Sequence, residues 1–580
     1  MILQALTKYY ETLAARGAIS RPGWAKVKIS YALEIGREGN LIGVLPLFVQ
    51  QEQKGKQISV PKEVDMPAPV KRTSGIAANF LWDNAIYMLG IPKSDGQKDK
   101  ENAVKSFQFM GDYHKRLLSG CASEMASAII RFFETWDCAS AAEHPELTPI
   151  LKELVSGANL TFYFENRFPN EEPEFAEIWQ NEYDKEDGEH SVCLVTGKES
   201  VPQEVHPSIK GVYGAQSSGA AIVSFNAPAF TSFGKEQSLN APIGKYAAFA
   251  YTTALNYLVS DTKHRKRFGD MTVVYWAEDA EPAEEDFLSA FMDTDSGVMT
   301  AEDLNAVMRS LADGLPVDIK GITVCPENHF CILALSPNAA RISVRFFYSD
   351  TFGHLAENMK AHYDRMEIIG AKPMLPLWQL VNASVRNVDG KAVGDASPHL
   401  SGDLLRAILS GTRYPDTIYQ QILLRVRAEH NLTPTRAALI KAYLLKNETD
   451  YKEVLTVKLN EETTYQPYVL GELFALLEEI QERASSVSTI KDRFYTSACT
   501  TPAIVFPRVI DLAEKHLKKL DTPLKIHYSK ELDTLVGKLS NSYPAHHSLQ
   551  EQGIFQIGYY HKREQRYEKK NVVTEEIKED

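Results

Sequence analysis

A polar loop punctuated by glycine holds the residues best suited to binding chemistry. Residues 211–219 read GVYGAQSSG and follow a lysine. Glycine permits positive φ and lets the backbone approach a ligand closely. Amide and hydroxyl groups suit phosphate oxygens, sugars and base edges better than they suit bond breaking. The candidate binding residues are Lys210, Gln216, Ser217 and Ser218. The alternative is that the glycines serve turns alone and the amides cap them.

A second polar loop follows, with Asn226, Lys235 and Gln237 as candidates. The sequence GKE occurs at 197–199 and again at 234–236. A phosphate-binding P-loop needs Ser or Thr after that lysine, so ATP hydrolysis is not expected. Zinc-protease, esterase and calcium-loop motifs are absent as well. We therefore expect a protein that is not an enzyme and that uses no cofactor and no metal.

A cationic segment near the N-terminus is a second candidate binding region. Two cations, two hydroxyls and a glycine before a helix are typical of a phosphate-binding corner, and two asparagines nearby could pair with base edges. Trp82 and Tyr87 lie among apolar neighbours and are expected to be core residues. The candidate DNA-binding residues here are Lys71, Arg72, Thr73, Ser74, Asn79 and Asn84.

Two further sets of cations could contact a nucleic-acid backbone. The densest basic run contributes Lys263, Arg265, Lys266 and Arg267. Such a run is usually a solvated loop, but beside the polar loops it could bind phosphates. The second set lies on C-terminal helices and consists of Arg493, Arg508, Lys515, Lys518 and Lys519.

Hydrophobic periodicity predicts an α+β, multidomain fold, mixed α/β in its N-terminal and central regions and all-helical at its C-terminal end. Predicted strands lie at 27–35, 41–47, 159–164, 220–225, 272–277, 322–324, 331–335 and 341–348. Predicted helices lie at 1–17, 103–136, 246–259, 300–311, 355–366, 404–408, 418–428, 435–445, 465–484, 503–520, 529–539 and 548–562. Residues 169–191 are acidic and are expected to form a loop. The expected domains are 1–190, 191–375 with the polar loops, a helical connector at 376–460, a bundle at 461–570 and an acidic tail at 571–580.

Bulk properties limit the functional class. At 580 residues the chain exceeds what one core usually supports. The net charge of −13 argues against a classical basic DNA-binding domain, so nucleic-acid binding must depend on local patches. No apolar run is long enough to span a membrane. Six scattered cysteines form no CxxC pair and fit a reducing compartment, so we expect a cytoplasmic protein.

Several long motifs resemble one family. They are CLVTGK, HPSIKGVYGAQSSGAAIVSFN, FGKEQSLNAP, AFAYTTALNYL and VVYWA in the centre, PVKRTSGIAANFLWDNAIYMLG before them and TIKDRFYTSACTTPAIVFPRV after them. They look like the Csd family of CRISPR-associated proteins, the large subunit of the type I-C Cascade complex. The resemblance spans most of the chain.

The resemblance implies a role that composition does not suggest. Large subunits of this family recognise the protospacer-adjacent motif (PAM) in duplex DNA, help to open the R-loop and recruit the helicase–nuclease. Guide pairing then reads the remaining sequence. The implied partners are the crRNA-containing handle-binding and backbone subunits, target double-stranded DNA, the helicase–nuclease and a small subunit from the same gene. The alternatives are a structural adaptor that does not read DNA, and a nuclease.

The resemblance also implies that the small subunit arises from an internal start within the large-subunit gene. The last methionine is Met374. A start there would place extra helices before the bundle. A bundle-only product would need an alternative start codon, for which Val454, Leu455 and Val457 are the natural positions.

Overall fold

The computed structural model describes residues 1–53, 56–70, 72, 75–185, 188–225, 227–278, 286–288, 301–319, 322–388, 391–394, 396–397, 399–448, 450–485 and 489–579. The chain forms two compact units. The N-terminal unit comprises Tyr10–Val205 and Phe225–Thr253. The C-terminal unit comprises Met1–Tyr9, His206–Ser224 and Ala254–Asp580.

Among the described residues, the helices of the first half are α1 (Ile2–Ala15), α2 (Ala85–Leu89), α3 (Gln97–Leu118), α4 (Glu124–Thr135), α5 (Leu151–Val155), α6 (Pro173–Tyr183) and α7 (Lys245–Ser260). The later helices are α8 (Ala301–Ala312), α9 (Phe352–Met366), α10 (Leu377–Asn382), α11 (Leu400–Leu409), α12 (Asp416–Glu429), α13 (Pro434–Asn447), α14 (Gln466–Ala484), α15 (Ile490–Thr500), α16 (Pro502–Leu517), α17 (Thr522–Gly537) and α18 (Leu549–Glu579).

The strands of the N-terminal unit are β1 (Trp24–Ile29), β2 (Tyr31–Ile35), β3 (Leu41–Pro46), β4 (Phe48–Gln53), β5 (Lys56–Pro67), β6 (Trp82–Asn84), β7 (Asn159–Tyr163), β8 (Ser191–Val192) and β9 (Glu199–Ser200). Those of the C-terminal unit are β10 (Arg265–Phe268), β11 (Met271–Ala277), β12 (Val317–Ile319), β13 (Ile322–Val324), β14 (His329–Asn338), β15 (Arg341–Thr351), β16 (Arg386–Val388) and β17 (Lys391–Val393).

Two larger sheets build most of the described N-terminal unit, and β8 and β9 pair as a short two-stranded sheet. One has the order β3-β2-β7-β6, in which β2 and β7 run parallel, and the other has the order β1-β5-β4. The predicted hairpin is confirmed, because β2 pairs antiparallel with β3 around the Gly36–Asn40 turn. Aromatic rings fill the core; Phe80, for example, stacks on His114 and Trp179. Trp82 and Tyr87 are buried core residues, as expected.

An antiparallel sheet, β10-β11-β14-β15, forms the framework of the C-terminal unit. Strand β11 is buried along its full length, as its apolar sequence MTVVYWA predicts for a central strand. The same hydrophobic core continues from this sheet through α9–α13 into α14–α18. The sheet is therefore supported by helices from the rest of the unit, which fixes the position of its edge strand β10.

Helix α14 is the central helix of the C-terminal bundle. Its apolar residues occupy all sides of the helix, which is typical of a buried helix, and most of its side chains are buried. It crosses α18 closely at two glycines. A Cβ on Gly471 would clash with the Phe555 carbonyl oxygen and lie 2.8 Å from the Tyr559 nitrogen. A Cβ on Gly558 would clash with the Tyr468 carbonyl oxygen.

The α+β multidomain class is confirmed, but several element predictions were wrong. Residues 220–225 do not form a strand, because the run makes only single isolated bridges, Ala220 with Ile209 and Ala221 with Arg341, and a strand needs consecutive pairs along one partner. The predicted helix at 103–136 is divided into α3 and α4 by the Ser-Gly-Cys-Ala-Ser segment, whose small residues favour a break.

Other element predictions were also wrong or incomplete. The acidic stretch 169–191 contains α6, because Phe175 and Trp179 lie four residues apart and are both buried. Strand β13 pairs with β12 and so does not join β14 and β15 in a meander. The predicted strand 27–35 changes sheets at Ser30, and the β4–β5 hairpin and α15 were not predicted. The five-domain division stays a prediction.

Within the described residues, no helix has the length and apolarity needed to cross a membrane.

We expect Gly471→Ala to destabilise the chain, because the added methyl group must displace the α18 backbone. Overpacking of this kind costs about 1–3 kcal/mol and sometimes more. The matched control is Gly537→Ala at the end of α17, where a Cβ meets no atom within 4 Å. The control should be neutral or slightly stabilising, because alanine has the higher helix propensity. Urea unfolding of both variants measures the difference, and equal midpoints would contradict the close crossing.

Candidate nucleic-acid interface

The 211–219 loop belongs to the C-terminal unit and is fixed at both ends. Ile209 and Ala220 exchange two backbone hydrogen bonds of 2.9 Å. The Asn256 side chain on α7 accepts from the Lys210 N–H at 2.8 Å and donates to the Ser208 carbonyl at 3.1 Å. The loop thus has defined ends although it contains no helix or strand.

Some residues of the loop are buried and others are exposed. Ile209, Val212 and Ala220 are buried, whereas Gln216 and its two serine neighbours are exposed. Gly219 has a φ of +97°, and a Cβ there would lie 2.7 Å from the Ser208 Cβ. Glycine is therefore required at this return of the chain. The predicted glycine-punctuated loop is confirmed, and it presents an amide and two hydroxyls to solvent.

Strand β10 holds the loop from one side. The Arg265 guanidinium donates to the Val259 carbonyl at 2.8 Å and to the Gly211 carbonyl at 3.4 Å, so its predicted DNA-binding head group serves the fold. The Arg267 guanidinium carbon lies 3.2 Å from the ring centroid of Tyr213. The Tyr213 N–H in turn donates to the Thr272 hydroxyl at 2.9 Å.

The remaining cations of the basic run lie at the surface. Lys263 is exposed and Lys266 is half-buried. Burial raises the pKa of the neighbouring Asp261 carboxyl, but the Lys263 N–H and the His264 ring outweigh it, so the net shift is downward. Asp261 therefore stays ionised at neutral pH and orders the turn before β10. Its single charge leaves the run strongly basic.

The described candidates of the N-terminal cationic segment contact other residues of their own unit. Arg72 pairs with the buried Asp83 and lies over the Tyr87 ring at 4.0 Å. Burial raises the pKa of Asp83, although the Arg72 ion pair lowers it in part. Asn79 is 3% exposed and accepts from the Val70 N–H, and Asn84 caps α2. The predicted roles of Arg72, Asn79 and Asn84 in DNA binding gain no support from these placements. Lys71, Thr73 and Ser74 lie outside the described residues.

The second polar loop belongs to the N-terminal unit, where Lys235 and Gln237 are exposed and Asn226 lies outside the described residues. The Asn240 side-chain amide stabilises this loop by donating hydrogen bonds to the Lys235 and Gln237 carbonyls. At its tip Phe233 is fully exposed with a φ of +51°. Phe233 begins the sequence motif FGK, but its exposure was not predicted.

The bundle cations are mostly exposed. Lys515 pairs with Asp511 at 2.7 Å on the same helix, and Lys518 and Lys519 follow at its end. Arg493 and Arg508 are exposed as well, and Arg508 lies over the Phe494 ring at 5.5 Å. Within the described residues, no three His, Cys, Asp or Glu side chains converge as a metal site would require.

The structure therefore brings together one set of candidates within the C-terminal unit. Lys210, the Gln216–Ser218 tip and the β10 cations share one anchored scaffold. The candidates of the N-terminal segment and of the second loop belong to the other unit. Tyr213 and Trp378 are both half-exposed, and the sequence did not predict either of them as a binding residue. The tyrosine lies within the recognised loop, and no sequence signal linked it to Trp378.

Comparison with known families gives one match. The sequence model described as CRISPR-associated protein (Cas_Csd1) matches residues 6–567, which is nearly the whole chain. No curated protein sequence gives a significant match.

Replacing Arg265 should loosen the loop without a direct change in its exposed tip. Arg265→Ala removes two hydrogen bonds to backbone carbonyls, so amide hydrogens at 211–215 should exchange faster. Lys263→Ala is the matched control, because it removes a nearby cation whose side chain is exposed. Hydrogen-exchange mass spectrometry of the free chain tests this. Equal protection in both variants would show that Arg265 does not hold the loop.

Proposed function

The chain belongs to the CRISPR-associated Cas_Csd1 family, and we propose that it is the large subunit of a type I-C Cascade complex, which recognises the PAM in duplex DNA, promotes the crRNA-guided R-loop and recruits the helicase–nuclease. In this proposal the subunit acts by binding and performs no catalysis. The observation that carries the DNA-reading role is the exposed Gln216–Ser218 tip, held on an anchored loop beside the cations of β10.

The chemistry of this tip suits a groove of duplex DNA. An amide side chain both donates and accepts, so Gln216 can meet the acceptors and donors of base edges. The minor groove mainly distinguishes A·T from G·C pairs. A subunit that reads it would therefore accept several related PAM sequences. Lys210, Lys263 and Lys266 supply charge for the phosphates on either side and carry no sequence information.

The rigidity of the loop matters for this role. A loop that is ordered before binding loses less conformational entropy when it meets DNA. Recognition of a short PAM offers few contacts, so each contact has to be made without a large ordering cost. After this step, base pairing with the guide reads the rest of the target.

Gln216→Ala should weaken PAM-dependent binding of the assembled complex by about 1–3 kcal/mol, because alanine cannot hydrogen-bond a base edge. Binding to duplexes that lack the PAM should be unaffected. Gln97→Ala, at an exposed site on α3, is the control. Filter binding with matched PAM and non-PAM duplexes measures both effects. Unchanged affinity and unchanged PAM preference would exclude Gln216. A complex with no PAM preference at all would favour the adaptor alternative.

The bundle cations should bind phosphates without reading sequence. Neutralising Lys515, Lys518 and Lys519 to glutamine should weaken binding equally on all targets. The slope of log K against log salt should become shallower by about 0.7–0.9 for each phosphate that these lysines neutralise in the wild type. The control is the same triple change at Lys98, Lys100 and Lys105 on α3. If both triples give the wild-type slope, the bundle lysines form a solvated face.

A separable C-terminal product also follows from the proposal, and the packing favours the longer form. The Tyr419 hydroxyl on α12 donates to the Leu549 carbonyl at 2.8 Å. Gly553 on α18 packs against Tyr419 and Ile440. A product that starts at 454–457 lacks α12 and α13 and would expose this part of α18. A product that starts at Met374 retains both helices.

We therefore expect a fragment covering 374–580 to accompany the full-length chain when the complex is purified from the native gene. Intact mass spectrometry identifies the start, and Met374→Leu, which removes the start while preserving an apolar side chain, is the control. The fragment should disappear in that variant. Full-length chain alone from the native gene would contradict an internal product, and a fragment starting at 454–457 would contradict the packing argument.

A further inference from the structure

A cleft of about 480 Å³ lies within the C-terminal unit at the edge of the 211–219 loop. Its volume falls in the range of ligand sites. One wall contains the loop and the β10–β11 turn, and the other contains α10 and the beginning of α11. The lining residues are Tyr213, Arg267, Phe268, Gly269, Asp270, Leu377, Trp378, Val381, Asn382, Ala396, Ser397 and Ser401.

Two large aromatic rings line this cleft and remain accessible. Tyr213 and Trp378 are each 47% exposed. Residues of this size usually bury more of their surface, and they contribute strongly where they meet a partner. One ring comes from each wall, so each wall offers aromatic surface to a flat ligand.

The Arg267 guanidinium extends the Tyr213 surface. It lies 3.2 Å from the ring centroid, and its Nε donates to the Gly269 carbonyl at 3.1 Å. These two interactions fix the planar cation against the ring. Tyr213 is fixed as well, through its N–H and the Thr272 hydroxyl. Aromatic rings and guanidinium planes are the surfaces on which unpaired bases stack in single-stranded nucleic-acid sites.

The charge in the cleft lining favours an anionic strand. The cation of the lining is Arg267. The carboxylate in the lining, Asp270, pairs with Arg345 at 3.2 Å, which offsets its charge. A phosphate beside a bound base would therefore meet the Arg267 cation without an uncompensated carboxylate.

We propose that this cleft binds one unpaired nucleobase of single-stranded DNA. The base stacks between Trp378 and the Tyr213–Arg267 pair, and a neighbouring phosphate meets the charge of Arg267. Asn382 and Ser397 line the same space and offer hydrogen bonds to a base edge. The proposal rests on the proposed function, because opening of the target duplex supplies the unpaired strand. A base within a duplex cannot enter, since its faces are covered by its neighbours.

The test uses the full-length chain and a short single-stranded oligonucleotide carrying one 2-aminopurine, whose fluorescence falls when it stacks. Wild type should quench the probe. Trp378→Ala should relieve the quenching and weaken binding about 5- to 150-fold, which corresponds to the removal of one base–aromatic stack. Trp378→Phe keeps a ring and should retain most of the binding. Arg267→Lys keeps the charge but removes the planar surface. It should therefore reduce the quenching, while the slope of log K against log salt stays close to the wild-type value.

Leu424→Ala is the matched control, because Leu424 is 49% exposed on α12 and does not line the cleft. Equal binding by wild type and Trp378→Ala, or equal weakening in Trp378→Ala and Trp378→Phe, would overturn the proposal. A free deoxynucleotide that competes as tightly as the oligonucleotide would also overturn it, since the site would then be a small-molecule site. Binding of PAM duplex by the assembled complex is scored separately. Loss of PAM preference with intact quenching would contradict the proposed function and leave the base site in place.

Discussion

An irregular loop can hold one shape only if its backbone polar groups find partners, and the 208–221 segment finds them both within itself and on neighbouring elements. Within the segment, Ile209 and Ala220 bond each other and the Gly219 N–H donates to the Gln216 carbonyl. From outside, Asn256 satisfies the peptide groups on both sides of Ile209, Thr272 satisfies the Tyr213 N–H, and Arg265 satisfies the Gly211 carbonyl. Buried backbone groups without partners are costly. The shape of the loop, and with it the proposed reading of DNA, depends on these hydrogen bonds.

This requirement explains why a basic residue in the sequence is a poor guide to its role. Arg265 and Arg72 were both predicted to contact DNA, yet both use their head groups within the fold. A guanidinium has five donors and can satisfy several carbonyls or a buried carboxylate at once. Lys263, two residues before Arg265, remains exposed, because an ammonium is costly to dehydrate. Sequence shows where charge is dense, but packing decides which charges face solvent.

The sequence predicted the strongly periodic elements well. Helix α7, strand β11 and the later bundle helices have clear apolar patterns, and the glycine loop followed from its composition. The failures have physical causes. The 220–225 run is apolar but makes only isolated bridges with its neighbours, and α6 is acidic on its surface yet anchored by Phe175 and Trp179. The placement of Tyr213 and Trp378 in the lining of one cleft could not be predicted, because it depends on how distant segments fold together.

The continuity of the C-terminal core has a consequence for function. Helices α12 and α13 share one hydrophobic core with α14 and α18, and that core reaches the sheet that supports the loop region through α9 and α11. The 211–219 loop and the helical bundle therefore belong to one packed unit. In the proposed function, forces on the bundle would act on the same scaffold that positions the loop.

In the function proposed here, residues 210–218 face the PAM in the assembled complex. Photo-crosslinking from a duplex with a reactive group at a PAM base, followed by peptide mass spectrometry, tests this placement. We expect crosslinks to the peptide that contains Gln216 when the PAM is present and their disappearance when the PAM is scrambled. Efficient crosslinking elsewhere in the chain, with none in this loop, would contradict the placement.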